Sequence, residues 1–214
     1  PPASTFVCGP MPAPDAAPKT ITVGAIVAAA DNDEVLPERR IHYDSLVLAI
    51  GSTSNYFGVP GAQEHTISLN ATEDAERFRL RMLRLMLAAE QEREDGKGAG
   101  LDVVIIGGGA TGVELAAELR EASGAYVTYG FDQLDVKRDV RITILEGAPR
   151  VLAPLPEKVS SAANDLLGKR GIRVVTDCRV TQIDRDKVID KDGNVYPSNL
   201  CVWAAGIKAP DLLA

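Results

Sequence analysis

Residues 103–119 read Val-Val-Ile-Ile-Gly-Gly-Gly-Ala-Thr-Gly-Val-Glu-Leu-Ala-Ala-Glu-Leu, and they restrict the fold more than any other stretch. An apolar run breaks into glycines and then resumes with helical spacing. This is how a buried parallel strand turns into a helix whose first turn comes close to a phosphate. Gly107, Gly109 and Gly112 fill the pattern G-x-G-x-x-G, with Gly108, Ala110, Thr111 and Val113 between and after them. The first glycine permits the tight turn, the second lets the backbone approach a pyrophosphate, and the third lets helix and strand pack closely. Free N–H groups and the positive dipole end of the helix, at residues 111–114, then face the anion. The expected ligand is a dinucleotide.

A lone G-x-G-x-x-G is a weak signal, but this one has an apolar strand before it, a helix after it and an acid at the end of the next strand. That strand is read over residues 141–146, and its closing acid, Glu146, offers a carboxylate to a ribose 2′-OH. Glu146 lies 34 residues beyond Gly112, against the roughly 20 expected. Residues 123–139 carry glycine, aromatics and no clean period, and are read as an irregular excursion that accounts for the excess. A carboxylate at 146 repels a 2′-phosphate, which favours NAD(H) over NADP(H). Arg150, four positions on, could soften that repulsion, though a plain surface arginine is the simpler reading. Glu114, in the first helical turn, has two readings that residue type leaves open. It is an acid satisfying the helix dipole, or a carboxylate reaching the nicotinamide end of the cofactor.

The remaining chain supplies the frame. Prolines at 1, 2, 10, 12, 14 and 18 make residues 1–19 an extended lead-in. Residues 20–29 are strand-like, and Asp31-Asn32-Asp33 is a turn. Residues 46–50 read as an apolar strand ending at Gly51-Ser52. This is either a buried strand with a tight exit or a strand end, at Ala49 and Gly51, against which a second cofactor lies. His42 and His65 lack metal-ligand companions and read as structural. Residues 55–61 form a loop, and Asn70 with Glu73 offers a capping box for a helix running to about 94. Ala75, Phe78, Met82, Leu85, Met86 and Ala89 make its apolar stripe. Pro156 opens a further helix at its first position, with Val159, Ala163, Leu166 and Leu167 inward and Gly171 just past its end. Short strands at 172–176, 179–183 and 187–189 lead to an Asp192-Gly193 hairpin turn. A last strand, 200–204, stops at Ala205-Gly206. The class is α/β: a Rossmann-type parallel sheet with an antiparallel β-meander.

A net charge of −7 argues against a nucleic-acid surface. Cys8, Cys178 and Cys201 are odd in number and far apart, so no disulfide framework or zinc site is signalled and a reducing compartment is the default. The most apolar run, residues 21–30, is far shorter than the roughly 20 residues of a membrane helix. No nucleophile–base pair, histidine cluster or redox dithiol is suggested. Hydride transfer needs none, since cofactors carry that chemistry. The chain opens Pro-Pro without methionine and stops at Leu-Leu-Ala, which reads as a piece of a longer protein.

Four segments together resemble the type II (alternative, non-proton-pumping) NADH dehydrogenases of the two-dinucleotide flavoprotein superfamily. They are Ala49-Ile50-Gly51-Ser52 through Asn55-Tyr56-Phe57-Gly58-Val59-Pro60-Gly61, then the glycine motif to Glu114, then residues 145–152, and finally Val202-Trp203-Ala204-Ala205-Gly206-Ile207-Lys208-Ala209. The resemblance implies a respiratory-chain flavoenzyme in which NADH reduces FAD and the flavin reduces quinone. It implies that residues 107–114 and Glu146 line the NADH site, that Ala205 and Gly206 lie near the nicotinamide, and that Ala49 and Gly51 contact FAD. Glu114 matches the family's glutamate near nicotinamide and flavin and so becomes the catalytic candidate. Residues 1–69 would be a partial FAD-domain segment and 70–214 the NADH-binding domain, with 200–214 returning toward the FAD domain. The family's first glycine motif, its quinone-site residues and its membrane-binding helices are not in this stretch. Tight FAD binding and quinone turnover are therefore expected only of a full-length parent. That parent would be peripheral on the inner face of the cell membrane, with a cytoplasmic NADH site, and the resemblance is compatible with a homodimer. Two other readings stay open: a soluble NADH-dependent flavoprotein reductase, and a stand-alone NAD(H)-binding sensor module.

Overall fold

The computed structural model describes residues 7, 10, 14–15, 19–96 and 100–211. Most of the proline-rich lead-in lies outside these residues, as do 97–99 in the glycine loop after the long helix. Two compact units are formed, one of residues 1–51 with 209–214 and one of residues 52–208.

In the first unit, strands β1 (Pro14–Asp15), β2 (Thr20–Val23) and β5 (Arg39–His42) make an antiparallel sheet in the order β1-β2-β5. Strands β3 (Ile26–Val27) and β4 (Glu34–Leu36) pair as a hairpin. Pro14 opens an edge strand, where a missing N–H costs the ladder little. The strand expected at 46–50 does not form. Among the described residues no partner pairs with this run, and Val47 is 86% exposed. Its apolar pattern is that of a strand, but a strand needs neighbours to satisfy its backbone.

The second unit holds β6 (Thr53–Ser54), α1 (Ala62–His65), β7 (Ile67–Ser68), α2 (Thr72–Glu94), β8 (Leu101–Ile106), α3 (Ala110–Gly130) and α4 (Val136–Asp139). Then follow β9 (Val140–Leu145), α5 (Glu157–Lys169), β10 (Ile172–Val175), β11 (Val180–Ile183), β12 (Lys187–Asp190), β13 (Val195–Pro197), β14 (Leu200–Trp203) and β15 (Ile207–Lys208). Five strands form a wholly parallel sheet in the order β10-β9-β8-β14-β7, with β8 at its centre. Strands β11, β12 and β13 form the antiparallel meander, and β15 pairs with β6.

Period-two alternation along β8 sets the layers. Val103 and Ile105 point into a core with Met82, Met86 and Ala89 of α2, Ala116 and Leu119 of α3 and Leu167 of α5. Val104 and Ile106 point the other way, joining Trp203 and Cys201 of β14 and Val180, Ile183, Val188 and Tyr196 of the meander. The helices α2, α3 and α5 therefore cover one face of the sheet, and the meander, with Ala62 of α1, the other.

Three local expectations change. Residues 123–139 are not an irregular loop: α3 continues to Gly130, and α4 follows after five residues. Tyr126 and Val127 pack on the core, and the Ser123 hydroxyl donates to the Leu119 carbonyl at 2.6 Å. Tertiary burial overrides the weak helix propensity there, and the excess before Glu146 is extra helix. The capping box at α2 does not form, since the N-cap is Ala71 with no side-chain bond. Asn70 instead spends its amide on Ser54 and Ser68, at 2.9 and 3.1 Å. On α5, Val159 and Leu166 are exposed while Ser160 and Leu167 are buried, and Pro156 is the N-cap rather than the first helical residue. Ser160 turns inward because its hydroxyl donates to the Val151 carbonyl.

Candidate functional site

The ends of β8, β9 and β14 open onto a cleft of about 560 Å³ at the C-terminal edge of the parallel sheet. Ligands in open α/β sheets gather at this edge, and the volume lies in the usual range for small-molecule sites. Gly107, Gly108 and Gly109 form one side, Glu146 and Gly147 the next, and Trp203, Ala204 and Ala205 the third. Residues 57–60, 153–154 and 178–181 complete the walls.

Each glycine of the motif has its own cause. Gly107 has φ +109°, and a Cβ there would lie 2.5 Å from the Ala204 carbonyl oxygen. A Cβ on Gly112 would lie 1.9 Å from the Gly107 carbonyl oxygen, so the third glycine is what lets α3 rise directly off the turn. A Cβ on Gly108 would press on Val151 at 2.9 Å and on the Glu146 carboxylate at 3.0 Å. Gly109 differs from all three. It is exposed, has ordinary φ and ψ of −74° and −174°, and a Cβ there would meet no atom of the described residues within 4 Å. Nothing among the described residues requires glycine at 109. The open space above it suits the close approach of a phosphate to backbone. No side chain caps the start of α3, so the first N–H groups of this 21-residue helix are left for a ligand. These residues fit a dinucleotide pyrophosphate.

Glu146 stands just past β9, and its carboxylate is already engaged. One oxygen accepts the Gly108 N–H and the other the Ala148 N–H at 2.7 Å. The acid thereby ties the glycine turn to the β9 exit, and each oxygen keeps a lone pair for a ribose hydroxyl. Arg150 is not a cation for the cleft. Its guanidinium donates to the Ala153 carbonyl at 2.6 Å, to the Leu155 carbonyl at 2.9 Å and to that of Leu152, holding a loop in which Leu152 has φ +51°. The Leu152 N–H donates to the Gly108 carbonyl at 2.8 Å, which closes this loop over the glycine turn.

Opposite, the Trp203 indole N–H donates to the Asn55 carbonyl at 2.9 Å, and its ring meets Tyr56 with centroids 5.5 Å apart. The Asn55 N–H donates to the Gly206 carbonyl at 3.0 Å. Phe57 is 64% exposed at the cleft wall, and its ring would touch a Cβ on Gly206 at 2.6 Å. Gly206 thus lets the aromatic lie flat on the turn after β14.

On the 178–181 wall, burial pushes the Cys178 thiol above its ordinary pKa, and the thiol sits 3.6 Å from the Tyr196 hydroxyl. Asp190 behind it is pulled down to about 2, first by the Asn194 amide, then by backbone N–H groups and the Tyr196 hydroxyl.

The structure therefore gathers Gly107, Gly108, Gly109, Glu146 and Ala205 into one cleft, with Ala110 and Thr111 exposed beside it at the start of α3. Gly112 is buried and Val113 half-buried behind them. Glu114 is exposed one residue beyond the first turn of α3 and does not line the cleft. Its carboxylate has no hydrogen-bond or ion-pair partner among the described residues. Ala49 and Gly51 belong to the other compact unit. The residues sequence reasoning missed are those of the 178–181 wall, which arrive from the meander through long-range packing and carry no local signature. A larger groove of about 1060 Å³, lined by α2, β7 and the start of β14, contains none of the motif residues.

Comparison with known proteins agrees with this geometry. Residues 19–214 match the pyridine nucleotide-disulphide oxidoreductase family. The chain is 36% identical over 197 residues to the type II NADH:quinone oxidoreductase of Haemophilus influenzae, covering 86% of this chain and 44% of that protein. It is 32% identical to a mitochondrial external alternative NAD(P)H-ubiquinone oxidoreductase B1 of Solanum tuberosum, covering 89% of this chain and 34% of the relative. The chain thus spans less than half the length of these relatives. In fold it is similar to NDH2 of Plasmodium falciparum, solved in complex with NADH, with TM-score 0.71, 22% identity and coverage of 91% and 39%. It is also similar to a ferredoxin reductase from Rhodopseudomonas palustris, with TM-score 0.67, 24% identity and coverage of 94% and 41%.

Proposed function

This chain belongs to the pyridine nucleotide-disulphide oxidoreductase family, and on that footing we propose that it is the NADH-binding part of a flavoprotein NADH:quinone oxidoreductase. The observation that carries the reading is the cleft: a glycine turn open at Gly109, an uncapped helix start and a carboxylate at the next strand end, converging at the C-terminal edge of a parallel sheet. Residues 107–113 hold the pyrophosphate, and Glu146 accepts from the adenosine ribose. Ala205 and Gly206, with Phe57 beside them, bound the nicotinamide end. When bound, NADH supplies the hydride and FAD receives it. The chain's own work is to bind, orient and exclude water.

Glu114 is proposed as the carboxylate that orients the nicotinamide, and its freedom from protein partners is in keeping with that role. The first unit is proposed as a segment of the FAD domain, with Ala49 and Gly51 against the flavin. The exposed apolar run at 46–50 favours this, since such a stretch is suited to pairing within a larger sheet. Quinone is preferred as acceptor over ferredoxin because the curated relatives named above are quinone oxidoreductases. No helix of the described residues is long and apolar enough to cross a membrane. Peripheral attachment at the inner membrane face, and any dimer, would come from the full-length protein.

The test is to express the full-length protein, load it with flavin and follow NADH oxidation with a short-chain ubiquinone and, separately, with ferredoxin. Turnover with quinone is expected. Oxidation of NADH with ferredoxin alone would overturn the acceptor, and failure to bind NADH would overturn the site.

A further inference from the structure

We propose that Arg179 tunes cofactor choice by meeting the adenosine 2′ position, giving a 2′-phosphorylated dinucleotide a foothold that Glu146 alone would deny. The inference rests on the dinucleotide reading of the cleft. Among the described residues that line the cleft, two carry charge, Glu146 and Arg179. The Arg179 residue is exposed, and its guanidinium has no hydrogen-bond or ion-pair partner among the described residues. Arg150, the basic side chain nearest to Glu146 in sequence, is consumed by three backbone carbonyls and cannot serve.

The backbone fixes which end of the cleft Arg179 occupies. The Cys178 N–H donates to the Glu146 carbonyl at 2.9 Å, so residue 179 stands one position from the contact with Glu146. Its own carbonyl accepts the Lys191 N–H at 2.8 Å, which pins it to the meander. The nicotinamide end is bounded instead by β14 and the loop at 57–60. Where Glu146 meets the ribose, Arg179 is therefore the adjacent cation.

The two side chains divide the work. A 2′-hydroxyl donates to a free lone pair of Glu146. A 2′-phosphate is repelled by that carboxylate, but the repulsion is weakened because two backbone N–H dipoles already lie on it. The planar guanidinium can take phosphate oxygens in pairs. The cleft then accepts NADPH as a second-choice hydride donor.

The test uses the full-length, flavin-loaded protein and its Arg179→Ala and Arg179→Lys variants, titrated calorimetrically with NAD+ and NADP+. Neither oxidised form transfers hydride, so the readout is binding alone. The expected result is an NADP+ loss in Arg179→Ala that exceeds the NAD+ loss by about tenfold, the worth of one charge-assisted contact. Lysine should restore part of it, and raised salt should shrink wild-type NADP+ binding in the same way. Equal losses for both dinucleotides, no loss at all, or a wild-type protein that binds NAD+ but not NADP+ would overturn the role of Arg179. Binding of neither would overturn the dinucleotide site itself.

Discussion

Gly109→Ala and Gly112→Ala change the same atom three residues apart, and the structure assigns them opposite consequences. At 112 the new Cβ would lie 1.9 Å from the Gly107 carbonyl oxygen, a backbone atom that cannot swing aside. Relief requires α3 to shift away from β8. Overpacking of this kind costs about 1–3 kcal/mol, and the severity of the contact argues for the upper end. Replacing glycine within a helix returns up to about 1 kcal/mol, leaving roughly 2 kcal/mol of net destabilisation and a midpoint lowered by about 4–8 °C for a unit of this size. At 109 the new Cβ meets nothing, and φ and ψ are ordinary. The loss of an N-cap glycine and the reduced entropy of the unfolded chain oppose each other, so stability should move by less than about 1 kcal/mol. Binding should suffer instead, because the methyl occupies the space a phosphate needs to reach the backbone N–H groups. Losing one or two charged hydrogen bonds weakens NADH by about 10- to 100-fold. Thermal unfolding without ligand and fluorescence titration with NADH separate the two effects. A Gly109→Ala protein that binds NADH like wild type would refute the assignment of 109 to the pyrophosphate.

Asp190 gives a pH dependence of definite sign. Its folded pKa, about 2, lies below the unfolded 3.8, so its stabilising contribution is present above pH 4 and lost as the pH falls toward 2. Urea unfolding at several acidic pH values should show Asp190→Asn removing part of the wild-type slope in that window, and an unchanged slope would refute it. Burial raises both Cys178 and Cys201, the latter to about 12, so neither should be alkylated by iodoacetamide at pH 8 until the protein is unfolded. Mass spectrometry of the native protein checks this. Trp203 is the sole tryptophan and lines the cleft. Its emission, which overlaps the absorption of reduced nicotinamide, should fall as NADH binds, and a flat titration in a protein that binds NADH by calorimetry would count against the site.

Local signals carried the part of the fold that depends on local causes. In the glycine motif the contacts of Gly107 with Ala204 and of Gly108 with Glu146 form only after folding. Its strand, turn and helix were legible because two of its causes are local, the positive φ of Gly107 and the contact a Cβ on Gly112 would make with the Gly107 carbonyl. The Asp192-Gly193 hairpin was legible for the same reason, with Gly193 at φ +80°. The reach of α3 to Gly130 was not legible. Residues 123–130 have poor intrinsic preference, and the burial of Tyr126 and Val127 decides their state. Nor was the missing strand at 46–50, since apolar alternation states what a segment can pair with, not whether a partner is at hand. At Asn70 a sequence pattern that fits a cap lost to two serines, Ser68 two residues away and Ser54, which is brought close by folding.

The same distinction runs through the cleft itself. The turn at 107–109 and the acid at 146 are separated by one strand–helix–strand unit, so their meeting follows from the motif. The acid's double engagement does not. Because the Glu146 carboxylate holds both Gly108 and Ala148, the group that would discriminate between ribose and its 2′-phosphate also shapes the turn that would bind the pyrophosphate. A change at 146 must then alter affinity for every dinucleotide while altering preference among them. Arg179 bears no such burden, since its side chain makes no hydrogen bond or ion pair among the described residues. It is therefore the position at which preference can shift with little effect on the turn. No motif marks it, because it stands at the entry to the meander, and the backbone bonds of Glu146 with Val175 and Cys178, and of Asp177 with Ala148, bring the two charges to one wall.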